Sequence, residues 1–528
     1  MAFLLTNARC PPWLWGVVLL LWVVALRWAL LGNPLVDNDD NFYLYAGGRL
    51  WAGDVIYADV WDRKPWGMFA FYGLFDQFGP WRFWAAHCAA VLAVWGTGLG
   101  IVRLARTIAP ATGAWVAAFL YVACLNLRRG YGIETPVFYN LLMVWAVWMV
   151  AALVLGRGKG DLKPSTLLGH GACAMALVGL AMQFKPTTVF EGCYLGLILL
   201  ALAWRARVLP ATAPLWRRLL LKLLPWCGCG LLWAGLAFLP TLAVALAYAA
   251  SGHGHDWWFA NVDSLFLRHK VLDSHHDVKL AVIAALLALA WPLGWLLGLR
   301  FRGAERGPWL FISGWALIAL LAVIIVPGAL NYYALPLMAP FAVLWAPLWR
   351  KSLGRLCFMA FLVLAVLGGE KDVLHIARNR TMGDWQAMQT ALSNPAGCVF
   401  QYLSQGLVLE ATPQAARCHV TNLPFPNHLA DEEEQGALPR DTLQELARIL
   451  ALRPQYLVAS SELGDSHERP TMGAADKLFL DTVKRDYVRV YAHPRSRSHA
   501  HLSATDLYDL IIWRLRPGLK PLINPPEP

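Results

Sequence analysis

Residues 36–66 read VDNDDNFYLYAGGRLWAGDVIYADVWDRKPW. They follow directly on the apolar run PPWLWGVVLLLWVVALRWALLG, residues 11–32. Three carboxylates, Asp37, Asp39 and Asp40, therefore stand where a hydrophobic segment ends. Asp37, Asn38, Asp39 and Asn41 are all good helix N-caps, but a helix needs only one. The next residues, to Gly53, predict a short helix closed by that glycine. KPWGMFAFYGLF, residues 64–75, predicts a second short helix lying along a membrane interface with its aromatics toward lipid. The whole segment 33–81 holds seven Asp and three basic residues.

The surroundings decide what such a segment can be. The chain is 58% hydrophobic and only 15% charged, against about 45–50% and about 25% in soluble proteins. Its mean hydropathy is +0.46. Many apolar runs reach the ~17–25 residues that cross a bilayer. This excludes a soluble enzyme with a single anchor and predicts a polytopic α-helical membrane protein. The first run has no basic leader beyond Arg9 and no small-residue cleavage site, so it reads as a retained span. Spans are expected near 13–32, 82–102, 109–127, 135–155, 167–183, 188–204, 219–250, 280–299, 309–326, 334–349 and 356–369, about eleven in all. The segment 219–250 is too long for one upright crossing.

The net charge of +11 fits loops gathered on one side of a membrane better than nucleic-acid binding, for which no motif is present. Alternate loops, RLART, GRGKGDLKP, RARVLPATAPLWRRLLLK, RFRGAER and RKSLGR, carry 16 basic residues; the other set carries nine in about twice the length. The positive-inside rule places the first set in the cytoplasm. The opening stretch then faces outward, with loops 33–81 and 251–279 and a tail from residue 370. The chain so reads as a multi-pass protein of a bacterial inner (plasma) membrane, its acidic loop and tail toward the periplasm. The expected division is a membrane-spanning part, 1–369, and an extracytoplasmic α/β part, 370–528. In the tail, CVFQYL, QYLVAS and YVRVYA read as strands, and DWQAMQTALS and RDTLQELARILALR as amphipathic helices. Cys398 and Cys418 are its two cysteines, either bridged or free. NHLADEEEQGALPRD reads as a solvated acidic loop.

Beyond capping, an acidic cluster at the lipid–water boundary suits a general base, which must reach the proton it takes. Lys64 suits a phosphate as a point charge, and a lipid-phosphate headgroup lies at this depth. Glu134 in RRGYGIETPVFYN, Lys185 in MQFKPTTVFEG, and Tyr332 and Tyr333 in PGALNYYALPL fall on the same side. Ionisable residues at membrane depth are functional candidates, although Lys185 and Arg27 also suit snorkelling. The loop 251–279 holds five of 14 histidines. His253 with His255, or His275 with His276, are conceivable metal ligands; a loop covering the substrate is the preferred reading.

With these motifs in hand, the sequence resembles the GT-C glycosyltransferases, in the branch of protein O-mannosyltransferases and aminoarabinose transferases. The resemblance rests on Asp39-Asp40 with Tyr43 four residues after the first acid, on GDVIYADVWDRKPW with Asp62 and Lys64, on Glu134, on FKPTTVFEG, and on NYYALPLMAP. LPFPNHL and LRPQYLVASSELG of the tail are similar too. Asp40 stands where the family usually has Glu, Trp66 where it has a second Pro, and Asn331 where it has His. The resemblance implies a GT-C fold of about eleven transmembrane helices with a small C-terminal α/β domain. It implies an inverting hexosyl- or pentosyltransferase that moves sugar from a polyprenyl-phosphate-linked donor to an envelope lipid, polysaccharide or protein acceptor. Asp39 would be the base, Asp40 and Glu134 would orient groups, and Lys64 would hold the leaving phosphate with Lys185 in support. Fixed cations meet the growing phosphate charge, so no cofactor is required, although a divalent metal remains compatible. Two other classes fit the sequence less well. A flippase for a lipid-linked glycan needs polar residues along a path through the spans, which are nearly free of them. A polymerase or ligase of another fold tends to carry arginines in a large outer loop, where 251–279 has only Arg268.

Overall fold

The computed structural model describes residues 11–156, 163–206, 215–268, 274–325, 331–404, 408–431, 434–460, 463, 473–493 and 510–523, with backbone alone for 156, 206, 215–222, 274–279 and 331. Among these residues nine helices are long and apolar enough to cross a membrane, and Ala111–Asn126 and Leu280–Leu296 are shorter apolar helices. Together they account for the eleven expected spans. The overlong segment is one continuous helix, Leu215–Ala250, with Pro225 and Pro240 inside it.

The chain forms two compact units. The first takes Met1–Ala29, His87–Val244 and Leu272–Leu374; the second takes Leu30–Ala86, Ala245–Val271 and His375–Pro528. The acidic first loop and the segment Ala245–Val271 therefore cluster with the tail, which a linear division at residue 370 does not express. The boundary near residue 374 falls inside the helix Ser352–Asn379.

Unit 1 is a layered helix bundle around Ala111–Asn126. Every residue of that helix from Gly113 to Asn126 is buried, as expected of a helix apolar all round. Arg27 does not snorkel. It is 1% exposed and its guanidinium donates to the carbonyls of Gly130 and Gly132. A buried arginine needs such acceptors, and these two fix the loop that leads into Glu134.

Unit 2 begins with the helix Asn38–Trp51, capped by Asp37, whose side chain accepts from Asp39 N. Gly53, at φ +107°, follows its end. The second expected helix runs Trp66–Asp76. Three of its aromatics turn inward: Phe69, Tyr72 and Phe75 are buried, whereas Trp66 and Phe71 are half-buried. The two helices cross at Gly47 and Gly73, where a Cβ on Gly73 would lie 2.5 Å from Gly47 O and 2.2 Å from Trp51 Cδ1. Backbone approach this close draws the aromatic face inward. Gly73→Val should destabilise unit 2 by on the order of 3 kcal/mol, read as a lower apparent melting temperature of the purified protein in detergent. An unchanged transition would show that the helices do not meet here.

The tail contributes a four-stranded sheet, β1 (Val399–Gln401), β2 (Tyr456–Ser460), β3 (Tyr487–Ala492) and β4 (Leu510–Leu515), in the order β1-β2-β4-β3. β1 and β2 are parallel and the other pairs antiparallel. The helices Met382–Ser393 and Thr442–Ala451 stand where expected, the first with a Thr381–Asp384 capping box and the second capped by Asp441. β4 and the helix Ala474–Asp486 were not anticipated. Cys398 and Cys418 form a disulfide. Replacing both by Ser should cost roughly 3 kcal/mol, given the ~20-residue loop that the bridge closes. The apparent melting temperature of the double variant, compared with that of the bridged wild type, checks this.

Candidate active site

Unit 2 builds one group of side chains around Lys64. Its helix Asn38–Trp51 places Asp39 and Asp40 in the first turn, at the positive end of the helix dipole. Asp39 is partly exposed and Asp40 buried. Asp37 caps the helix, its side chain accepting from Asp39 N. Tyr43 lies one turn after Asp39 on the same face, and its buried ring receives the Lys64 ammonium, Nζ 4.9 Å from the centroid. Phe425 stands on another side of the ammonium at 5.9 Å.

Asp62 orients this lysine twice. Its Oδ1 accepts from Lys64 N at 2.9 Å, and its Oδ2 lies 3.7 Å from Lys64 Nζ. Tyr57, in the left-handed region at φ +76°, donates through its hydroxyl to Lys64 O at 3.0 Å. The backbone on both sides of the lysine is thereby held. Lys64 keeps 31% of its side chain exposed, whereas Asp62 keeps 4%. The cation therefore faces outward from a buried anion.

His428 completes the group from the tail. Its Nε2 lies 3.7 Å from Asp62 Oδ2 and its ring packs edge-on to Trp61. Burial pulls its pKa down to about 4, against the opposing pull of Asp62. The imidazole is thus neutral near pH 7, which leaves Lys64 as the cation beside Asp62. Next to it, Glu434 takes a two-pronged contact from Arg63, at 2.7 and 2.6 Å, and a longer one from Arg268 at 3.3 Å. Burial opposes ionisation of Glu434, but the Arg63 hydrogen bonds and charge outweigh it and hold the carboxyl below its usual range. The segment expected to be a solvated acidic loop is packed in its first part, where His428, Leu429, Ala430 and Glu434 are buried, and exposed at Gln435, Gly436, Pro439 and Arg440. Residues 432–433 of that segment lie outside the described residues.

Unit 1 builds a second group. Glu134 precedes the helix Thr135–Gly156 and is 1% exposed. Lys185 follows the helix Pro164–Met182, with its Nζ 3.8 Å from the ring centroid of Tyr333 and 5.8 Å from that of Tyr332. The two tyrosines meet edge-to-face at 5.1 Å. A cation held over tyrosine faces is a different state from the snorkelling lysine that was the competing expectation. Two turns further on, buried Glu191 accepts from Trp315 Nε1 at 2.6 Å. Glu191 is not among the candidates singled out from the sequence, although an acid inside a span is the signal for it. Neither described histidine of the 251–279 loop gathers metal ligands: His253 contacts Asp256 and His255 stacks on Phe259. The side chains of His275 and His276, like that of Asn331, lie outside the described residues.

No family model and no curated protein matches this chain. Solved structures do match its fold. ArnT from Cupriavidus metallidurans bound to undecaprenyl phosphate aligns over 95% of this chain and 98% of its own, with a TM-score of 0.55 at 15% identity. The archaeal oligosaccharyltransferase AglB from Archaeoglobus fulgidus, in complex with an inhibitory peptide and a dolichol-phosphate, aligns over 85% of this chain and 69% of its own, with a TM-score of 0.50 at 11% identity. The chain thus has the fold of the GT-C membrane glycosyltransferases, a multi-helix membrane part with a small C-terminal sheet.

Proposed function

We propose that this protein is a glycosyltransferase that moves a hexose or pentose from a polyprenyl-phosphate-linked donor to a cell-envelope acceptor. The single observation that carries the proposal is the setting of Lys64, an ammonium on the face of Tyr43 and beside buried Asp62, facing outward. A polyprenyl phosphate leaves only if its growing negative charge is met, and a preorganised cation does this without reorganisation. The solved proteins of like fold were captured with undecaprenyl phosphate and with a dolichol-phosphate, which supports this class of donor.

In the reading we favour, Asp39 takes the proton from the acceptor hydroxyl as that oxygen attacks the anomeric carbon from the face opposite the phosphate, so the configuration inverts. Asp40 and Glu134 orient donor and acceptor. Lys64, positioned by Asp62 and Tyr43, receives the leaving phosphate, and Lys185 with Tyr332 and Tyr333 assists. The step needs no cofactor; if it proceeds undiminished in a chelator, a divalent metal is also unnecessary. The charge asymmetry of the loops and the Cys398–Cys418 bridge, which persists in oxidising compartments, support placing unit 2 on the periplasmic side of the inner membrane.

The test separates a transferase from a flippase. Membranes with and without the protein are incubated with a lipid-linked sugar extract, and free polyprenyl phosphate is followed by mass spectrometry. A transferase yields polyprenyl phosphate only where protein and acceptor are both present. A donor that crosses the bilayer with its sugar–phosphate bond intact would overturn the proposal.

A further inference from the structure

Unit 1 carries a second site at the far end of its helices from Lys185. The helix Arg306–Ile325 and the span Tyr332–Arg350 are joined near Tyr332, so the opposite end of the pair brings Arg306 toward Leu348. A cavity of about 530 Å³ lies there, lined among others by Trp291, Arg300, Phe301, Arg306, Trp309 and Leu348.

Its walls are of two kinds. One is aromatic and rigid. Phe301 and Trp309 are stacked at 5.1 Å with planes 13° apart. Arg350 caps Phe301 at 5.6 Å and is itself neutralised by a two-pronged contact to Glu305, at 2.6 and 3.0 Å. Trp291 is fixed by Phe341 in an edge-on contact at 5.4 Å. The other wall is cationic. Among the described residues neither Arg300 nor Arg306 pairs with a carboxylate, and Arg300 makes one contact, to Leu299 O at 3.2 Å. The rim continues into an exposed apolar face: Trp295 is 71% and Leu310 52% exposed, as suits hydrocarbon. Cations, a flat aromatic floor and an adjoining apolar slope together match an amphiphile rather than a free anion.

We propose that this cavity binds the phosphate headgroup of an anionic glycerophospholipid. Arg300 and Arg306 contact the phosphate, Trp309 and Phe301 form the floor under the glycerol, and an acyl chain runs along Trp295 and Leu310. This site is separate from the Lys64 and Lys185 groups, and no step of the transfer reaction depends on it.

The full-length protein, purified in detergent, is mixed with phosphatidylglycerol, phosphatidylcholine or inorganic phosphate, and retained adducts are counted by native mass spectrometry. Phosphatidylglycerol should be retained roughly 25-fold over phosphatidylcholine, about fivefold for each of the two arginines near an anionic headgroup. Inorganic phosphate should not displace it. The double variant Arg300→Ala/Arg306→Ala should lose that preference, whereas Arg302→Ala, which removes a charge from the same loop outside the lining, should keep it. If the double variant does not yield folded protein, Arg300→Gln and Arg306→Gln singly are each expected to lose about fivefold. Equal retention of both lipids, full displacement by inorganic phosphate, or equal losses in Arg302→Ala and the arginine variants would each overturn the proposal.

Discussion

Asp39→Asn should lower sugar transfer by at least about a thousandfold, within the range that removal of a general base produces, while the protein still inserts and folds. The substitution keeps the shape and removes only the ability to take a proton. It does not cost the helix its cap, because the side chain that accepts Asp39 N belongs to Asp37. Asp39 is partly exposed, so the change in stability should stay under about 0.5 kcal/mol. Asp37→Asn is the matched control. Asn caps as well as Asp does, and this variant should keep most of its activity. Initial rates of donor consumption in detergent, with melting curves of the same preparations, check both expectations. An active Asp39→Asn enzyme would remove this residue as base and turn attention to Asp40.

Lys64→Ala should reduce turnover by roughly 10²–10³, the usual loss when one preorganised charge-stabilising group is removed. The effect should fall mainly on kcat, because the phosphate gains charge as the glycosidic bond breaks and interactions stronger in the transition state act on that step. Asp62 retains its backbone contact to residue 64, which limits structural damage. Lys64→Arg should recover only part of the loss, since a planar guanidinium does not reproduce a compact ammonium on the Tyr43 ring. Steady-state kinetics separate these outcomes. A rise in donor KM with unchanged kcat would make Lys64 a ground-state anchor only.

Much of this architecture was legible in the sequence because lipid imposes strong rules on it. Apolar runs gave the eleven helices, and Gly53 marked the end of the first acidic helix; its start was open among four cap candidates, of which Asp37 is the one used. Tyr43, Asp62 and Lys64 were singled out together and stand together. Contacts distant in sequence were not legible. Nothing local shows that Phe425 and His428, more than 350 positions on, pack against Lys64 and Asp62, or that Glu434 anchors Arg63; in sequence His428 and Glu434 belong to an acidic stretch that reads as solvated. The inward turn of Phe69, Tyr72 and Phe75 depends on the Gly47–Gly73 crossing, which periodicity does not reveal. Arg27 resembled a snorkelling residue because its two carbonyl acceptors lie about a hundred positions away. β4 went unseen because LIIWRL is one more apolar run in an apolar chain.

The most direct test of the central claim is mass spectrometry of envelope glycans and of lipid-linked sugars in cells with the gene, without it, and with Asp39→Asn in its place. The account predicts that one sugar disappears from a glycan and its polyprenyl-phosphate donor accumulates, equally in the deletion and in the Asp39→Asn strain. Unchanged glycans and donor pools across all three strains would contradict it.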